Sequence, residues 1–303
     1  MRAHGPRRAR FDEDEVPPIP AADQEPDDVS RETAPTQLPP PATTRIFVVA
    51  NQKGGVGKTT SAVNLATALA LGGLSVLVID LDPQGNASTA LGVDHPVGTP
   101  GSYEVLIAGD PLVDHLVESP EAPNLAVLPA TIDLAGAEIE LVSMVARESR
   151  LLKALNAYLA DHPCDYVFLD CPPSLGLLTL NALVAATEIL IPIQCEYYAL
   201  EGVSQLVRTI DLVKGELNNQ LRLSTVLLTM YDGRTRLAAQ VAEEVRTHFA
   251  AETLPTVIPR SVRISEAPSY GQSVLTYHPD SAGAVSYLRA AEEIAHRGAR
   301  EAA

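Results

Sequence analysis

The chain has 303 residues, of which 46% are hydrophobic and 20% charged, enough for a globular core and too apolar for global disorder. Thirty-eight acidic against 22 basic side chains give a formal net charge of −16, which excludes nucleic-acid binding through bulk charge and leaves only a local basic patch for that purpose. Three cysteines without a CxxC pair, Cys164, Cys171 and Cys195, exclude a disulfide framework and point to a reduced, cytoplasmic protein.

Residues 1–44 stand apart. They hold nine of the 24 prolines, and their charge is split between Arg2, Arg7, Arg8 and Arg10 and nine acids from Asp12 to Glu32. With little to bury, this stretch is predicted to be a disordered tail, either a solubilising extension or a tether for DNA or a partner. Its basic start is not followed by an apolar run, so no signal peptide is expected. The longest uncharged interval, between Lys58 and Asp80, is broken by Asn64, Thr67, Gly72, Gly73 and Ser75, so no membrane span is predicted.

From Arg45 onward, short runs rich in Val, Ile and Leu recur at 46–50, 76–79, 166–169, 189–193 and 225–228. They do not alternate with polar residues, which suits strands buried on both faces. Helical stretches at 61–71, 149–160, 200–214 and 237–249 lie between several of them. This alternation predicts one α/β domain over 45–303, a mostly parallel central sheet flanked by helices.

The segment IFVVANQKGGVGKTTSAVNLATALA joins a strand to a helix through a glycine-rich turn. Gly54, Gly55 and Gly57 let backbone N–H groups converge on phosphate oxygens, and the positive end of the following helix adds to the attraction. Lys58 supplies a point charge for the β- and γ-phosphates, and the Thr59 hydroxyl suits a Mg²⁺ ligand. Gln52 occupies the position of the first glycine of the usual G-x-x-x-x-G-K-[ST] pattern; the sequence reads K-G-G-x-G-K-T, with Lys53 ahead of the glycines. Nucleotide contacts are expected from Gly54, Gly55, Val56, Gly57, Lys58, Thr59 and Thr60.

Further along, the 76–79 strand runs into Asp80-Leu81-Asp82-Pro83-Gln84, at the strand end that faces the ligand crevice in open α/β sheets. Asp82 reads either as a group directed at that crevice or as an N-cap for the segment after Pro83. Asp170 closes the 166–169 strand in a Walker B arrangement, a carboxylate for Mg²⁺ held through water, and Cys171-Pro172-Pro173 turns the chain beside it. Between Arg208 and Arg263 eight basic residues meet six acidic ones, so the positive charge of the domain is concentrated there.

KGGVGKTT resembles the deviant Walker A loop of the ParA/MinD group of P-loop ATPases. Together with IDLDPQGNAST, FLDCPPSLG, LTMYDGRT and PRSVRISEAPSYG, it makes residues 45–297 similar to ParA/Soj chromosome-partitioning ATPases. The resemblance implies a P-loop NTPase fold and Mg²⁺-dependent hydrolysis of ATP. It implies that Lys53 reaches the phosphates of a partner protomer in a nucleotide-sandwich homodimer, that Asp82 orients the attacking water, and that Pro259 and Ser261 meet the adenine; many relatives carry Asn where this chain has Ser261. It places Arg234 and Arg263 on nonspecific double-stranded DNA, with Arg236 and Arg260 as helpers, although each arginine alone also reads as ordinary surface. A ParB-like centromere-binding partner and a nucleoid location follow from the same resemblance. Related readings are a positioning ATPase for another cargo and a MinD-like membrane-localised regulator, the latter needing a basic amphipathic C-terminal helix that SYLRAAEEIAHRGAREAA does not provide.

Overall fold

A computed structural model describes residues 37–196 and 199–300. The part of the expected tail up to residue 36 lies outside the described residues. Leu38, inside the stretch assigned to that tail, is buried: its N–H donates to the Gly72 carbonyl (2.9 Å), and its side chain occupies the space a Cβ at Gly72 would need. The domain therefore begins upstream of Arg45.

Among the described residues, eight strands form one sheet: β1 (Arg45–Val49), β2 (Val76–Asp80), β3 (Val117–Glu118), β4 (Leu125–Leu128), β5 (Tyr166–Asp170), β6 (Glu188–Gln194), β7 (Arg222–Tyr231) and β8 (Thr253–Pro259). Their order is β3-β4-β2-β5-β1-β6-β7-β8, and every pairing is parallel except β3 with β4. The helices are α1 (Lys58–Leu71), α2 (Asn86–Ala90), α3 (Ser102–Ile107), α4 (Leu134–Leu141), α5 (Arg150–Asp161), α6 (Leu177–Ala185), α7 (Ala199–Glu216), α8 (Arg236–His248), α9 (Val262–Glu266), α10 (Val274–Tyr277) and α11 (Ala282–Arg300).

The central strands explain the unbroken apolar runs. Along β1, Ile46 and Val48 enter a core shared with α3 to α8, while Phe47 and Val49 enter a second core shared with α1 and α11. Both faces are covered, so no residue of the strand meets water. Helix α1 is buried nearly all round, its small residues (Ala62, Ala66, Ala70) letting the sheet and α11 approach from either side. Tyr287, Ala291 and Ile294 of α11 are spent in that contact, which leaves the apolar face of the C-terminal helix covered by protein. No helix among the described residues is long and apolar enough to cross a membrane.

Across the inner end of the sheet, the buried Arg45 guanidinium forms two bonds to Glu188 (Nε–Oε1 2.7 Å, Nη2–Oε2 2.6 Å) and a third to the Ile294 carbonyl of α11 (2.8 Å). It also stacks over the Phe47 ring at 4.8 Å.

Candidate functional site

All the strands but β3 point their C-terminal ends the same way, so the loops that follow β1, β2, β5, β7 and β8 gather along one edge. Residues 50–57 form the first of these loops. Gly55 and Gly57 have φ of 74° and 90°, a conformation glycine adopts without strain, and Gly57 is the N-cap of α1. A Cβ built on Gly54 or Gly55 would meet nothing within 4 Å, so the backbone there lines open space.

The loop is held to β6 and β7 by two residues whose roles motif spacing does not reveal. Asn51, buried, donates from Nδ2 to the Pro192 carbonyl on β6 (2.8 Å) and accepts the Lys53 N–H on Oδ1 (3.0 Å). Thr229, near the end of β7, donates its hydroxyl to the Val56 carbonyl (2.8 Å). Val56 is itself buried, which anchors the loop while Gly54 and Gly55 stay exposed. Thr59 and Thr60 begin α1 half-buried.

Lys58 is buried at the start of α1. Burial pushes its pKa down, while the nearby Asp170, Cys171 and Asp82 groups oppose that shift. Asp170 shares a register row with Val49 on one side and Asp80 on the other. Both Asp170 carboxylate oxygens are buried without a hydrogen-bond partner. Burial raises its pKa well above the usual carboxylate range and the Asp80 charge adds to this, with the Thr59 hydroxyl and the Lys58 ammonium acting the other way. A buried carboxylate lacking donors, beside a threonine hydroxyl at a helix N-terminus, is a donor set that a hard divalent cation completes.

Asp80 and Asp82 divide their work. The fully buried Asp80 carboxylate accepts the Asp82 N–H (3.1 Å), the Ser88 N–H (2.9 Å) and the Ser88 hydroxyl (2.8 Å), so it organises the 81–88 loop. Burial lifts its pKa to about 6 against the pull of those bonds. Asp82 accepts the Gln84 N–H on Oδ1 (3.0 Å), a local turn, whereas the N-cap of α2 is Gly85. The N-cap alternative for Asp82 is thus not what forms.

Lys53 is half-exposed, and its ammonium pairs with Glu196 (3.2 Å). Glu196 also receives Arg260 (3.5 Å) and the Gln194 amide. Nothing in the spacing of the motifs announces Glu196 as the counter-ion of Lys53; it follows β6, far along the chain. Pro259 ends β8 and Ser261 caps α9, half-buried, on the same edge as the glycine loop. Three strand spacings separate β8 from β1, about 14 Å, a span that an extended nucleotide bridges.

The two arginines expected on DNA leave that edge from adjacent strands, Arg234 after β7 and Arg263 in α9. Both are exposed and both are paired: Arg234 with Asp232 (2.9 Å), which hydrogen bonding drives down to a pKa of about 2, and Arg263 with Glu266 (3.1 Å). Arg236 is exposed at the start of α8.

A family profile described as an AAA domain matches residues 44–223, more than half of the chain. The chain is 51% identical over 254 residues to the sporulation initiation inhibitor protein Soj of Bacillus subtilis, covering 84% of this chain and 99% of that protein. It is 51% identical over 253 residues to the chromosome partitioning protein ParA of Caulobacter vibrioides, covering 84% and 94%. Among solved structures, cobyrinic acid a,c-diamide synthase from Mycobacterium smegmatis, with bound ADP and magnesium, is similar with a TM-score of 0.71 and 40% identity, covering 83% of this chain and 94% of that one.

Proposed function

The chain belongs to the ParA/Soj family of chromosome-partitioning ATPases, and on that premise we propose that it hydrolyses ATP as a nucleotide-gated homodimer on nonspecific double-stranded DNA. A ParB-like centromere-binding partner stimulates hydrolysis and releases it. Its place is the cytoplasm, on the nucleoid.

The observation that carries the enzymatic half is Asp170, whose two buried oxygens lack protein donors beside the loop that opens α1. The loop N–H groups around Gly54–Thr59 bind the phosphates, and Lys58 holds the β- and γ-phosphates by charge. Thr59 and Asp170 would hold Mg²⁺, which when bound neutralises phosphate charge. Phosphoryl transfer asks for positioning and electrostatic stabilisation more than for covalent chemistry, and these residues supply both. Asp82 orients the water. Lys53, drawn away from Glu196, neutralises charge on the partner protomer's phosphates, and Pro259 and Ser261 border the base.

The DNA-binding half is supported by Arg234 and Arg263, exposed on neighbouring turns of an otherwise acidic domain. The decisive measurement is retention on nonspecific duplex DNA with ATP, with ADP and without nucleotide, across a salt series. Retention with ATP alone, weakening steeply with salt, is expected, and Arg234→Ala or Arg263→Ala should each reduce the salt slope by about one. Retention independent of nucleotide, or none despite ATP turnover, overturns the gating and turns attention to another cargo.

A further inference from the structure

Helix α4 is apolar on the side it turns to solvent. Leu134, Ala137 and Leu141 face the core and are fully buried. The opposite side carries Ala135 and Ile139, continued past the helix end by the C-cap Val142 and by Val145 in the following turn; Ile139 is 78% exposed, Val142 59% and Val145 90%. A surface helix ordinarily sets polar residues there, and single exposed apolar residues need no explanation, but an aligned stripe does. Two carboxylates seven residues apart, and so on the same side of the helix, line one flank of the stripe. Asp133 and Glu140 are exposed beside it, and the nearby Arg147 is engaged with Glu148 (2.9 Å) and the Val142 carbonyl (2.8 Å).

The same helix touches the loop that carries Asp170 into α6. Glu138 lays its carboxyl against Gly176, the N-cap of α6, where any Cβ would overlap it, and its Oε1 is buried without a hydrogen-bond partner. A displacement of α4 therefore moves a carboxyl packed directly on the 171–176 turn.

We infer that the outer face of α4 is a docking surface for a helical segment of a partner protein, apolar along one side and flanked by lysine or arginine, and that its docking alters ATP turnover through the Glu138–Gly176 contact. The charge of the rim decides the occupant. A second copy of this acidic chain would bring the same carboxylates against Asp133 and Glu140, and like charges across an interface are costly, whereas a basic helix complements them. The docking stands on the surface alone; the effect on turnover rests on the ATPase reading above.

The probe is a fluorescent 18-residue peptide of leucine and lysine at amphipathic helical spacing, with a leucine–glutamate counterpart as control, titrated against the full chain by anisotropy. The lysine peptide is expected to bind at least tenfold more tightly than the glutamate peptide. Ile139→Ser/Val142→Ser should weaken it at least tenfold and Glu140→Lys severalfold, while Leu212→Ser, at an exposed position on α7, should leave it unchanged. All the substituted positions are exposed, so matched melting temperatures keep folding out of the comparison. Equal binding by every variant, or by both peptides, overturns the docking site. Loss of ATP-dependent self-association in the Ile139/Val142 variant, read by sedimentation, assigns the face to a second copy and also overturns it. An unchanged phosphate-release rate at saturating peptide overturns the coupling; a wild-type chain without turnover, in contrast, indicts the ATPase reading and leaves the binding result intact.

Discussion

Two charged side chains at the site behave oppositely because one is buried and the other is not. The buried Asp170 oxygens make no close hydrogen bond and have only the Thr59 hydroxyl and the Lys58 ammonium nearby to favour their charge, so the ionised carboxylate is costly to the fold until a cation is bound. Asp170→Asn should lower Mg²⁺-dependent phosphate release by roughly 10²–10³, while in metal-free buffer its melting temperature should rise by roughly 2–4 °C, as about 1 kcal/mol does in a domain of this size. A melting temperature that falls would mean the carboxylate has a structural role. Lys53 is the converse. Its pair with Glu196 is half-exposed, of the kind worth about 0–1 kcal/mol, so Lys53→Ala should barely move the melting temperature. Turnover should nevertheless fall by roughly 10³ or more if the residue acts in trans as a finger does. Phosphate release at the wild-type rate from that variant would end the trans role.

At the scale of elements, the phosphate loop is positioned by strands that are not its sequence neighbours. Thr229 of β7 reaches Val56, and Met230, the next residue, takes a φ of 50° where the pairing with β8 shifts register. Thr229→Val keeps the shape and removes the donor, leaving the Val56 carbonyl unpaired; nucleotide affinity should drop about fivefold, or about 1 kcal/mol, in a fluorescent-nucleotide titration, with the fold retained. Such tethers mark the limit of what the sequence makes legible. The glycine loop, Asp82, Asp170 and the five apolar strands at the heart of the sheet are local patterns, because a parallel strand buried on both faces and a loop needing positive φ each impose their own residue types. Two-residue β3 is exposed and carries no such pattern. β8 contains Pro255 and Pro259, which argue against a strand until it is seen to lie at the sheet edge. Asn51, Glu196 and Thr229 matter through partners over a hundred residues away, in Asn51's case Pro192, in Glu196's Lys53 and in Thr229's Val56, and pairings of that kind leave no periodic trace.

Over the whole molecule, one buried ion pair binds the sheet to its last helix. Burial alone would raise the Glu188 pKa, but the bonds and charge of Arg45 hold it below the ordinary glutamate value. A carboxylate depressed in this way stabilises the fold above its unfolded pKa of about 4.3 and loses that contribution as pH falls through the lower folded value. Arg45→Met should therefore cost about 1–3 kcal/mol near neutral pH, because the buried Glu188 keeps only the longer pair with the half-exposed Arg222 (3.5 Å), and Arg45→Met/Glu188→Leu should recover most of it; urea titrations at pH 7 and pH 4 would show both effects, with the single variant's deficit shrinking at the lower pH. Equal stability of the two variants at pH 7 would refute the pairing. The covering of α1 by α11 has a consequence for biosynthesis. The phosphate-loop helix leaves the ribosome early, yet the residues that seal its outer side, from Ala284 to Ala295, are translated more than two hundred positions later. Until they arrive a nascent chain carries the complete glycine motif on a helix whose outer side is uncovered, so a chain ended before Ala282 should lose nucleotide affinity in a fluorescent-nucleotide titration although it keeps every signature residue.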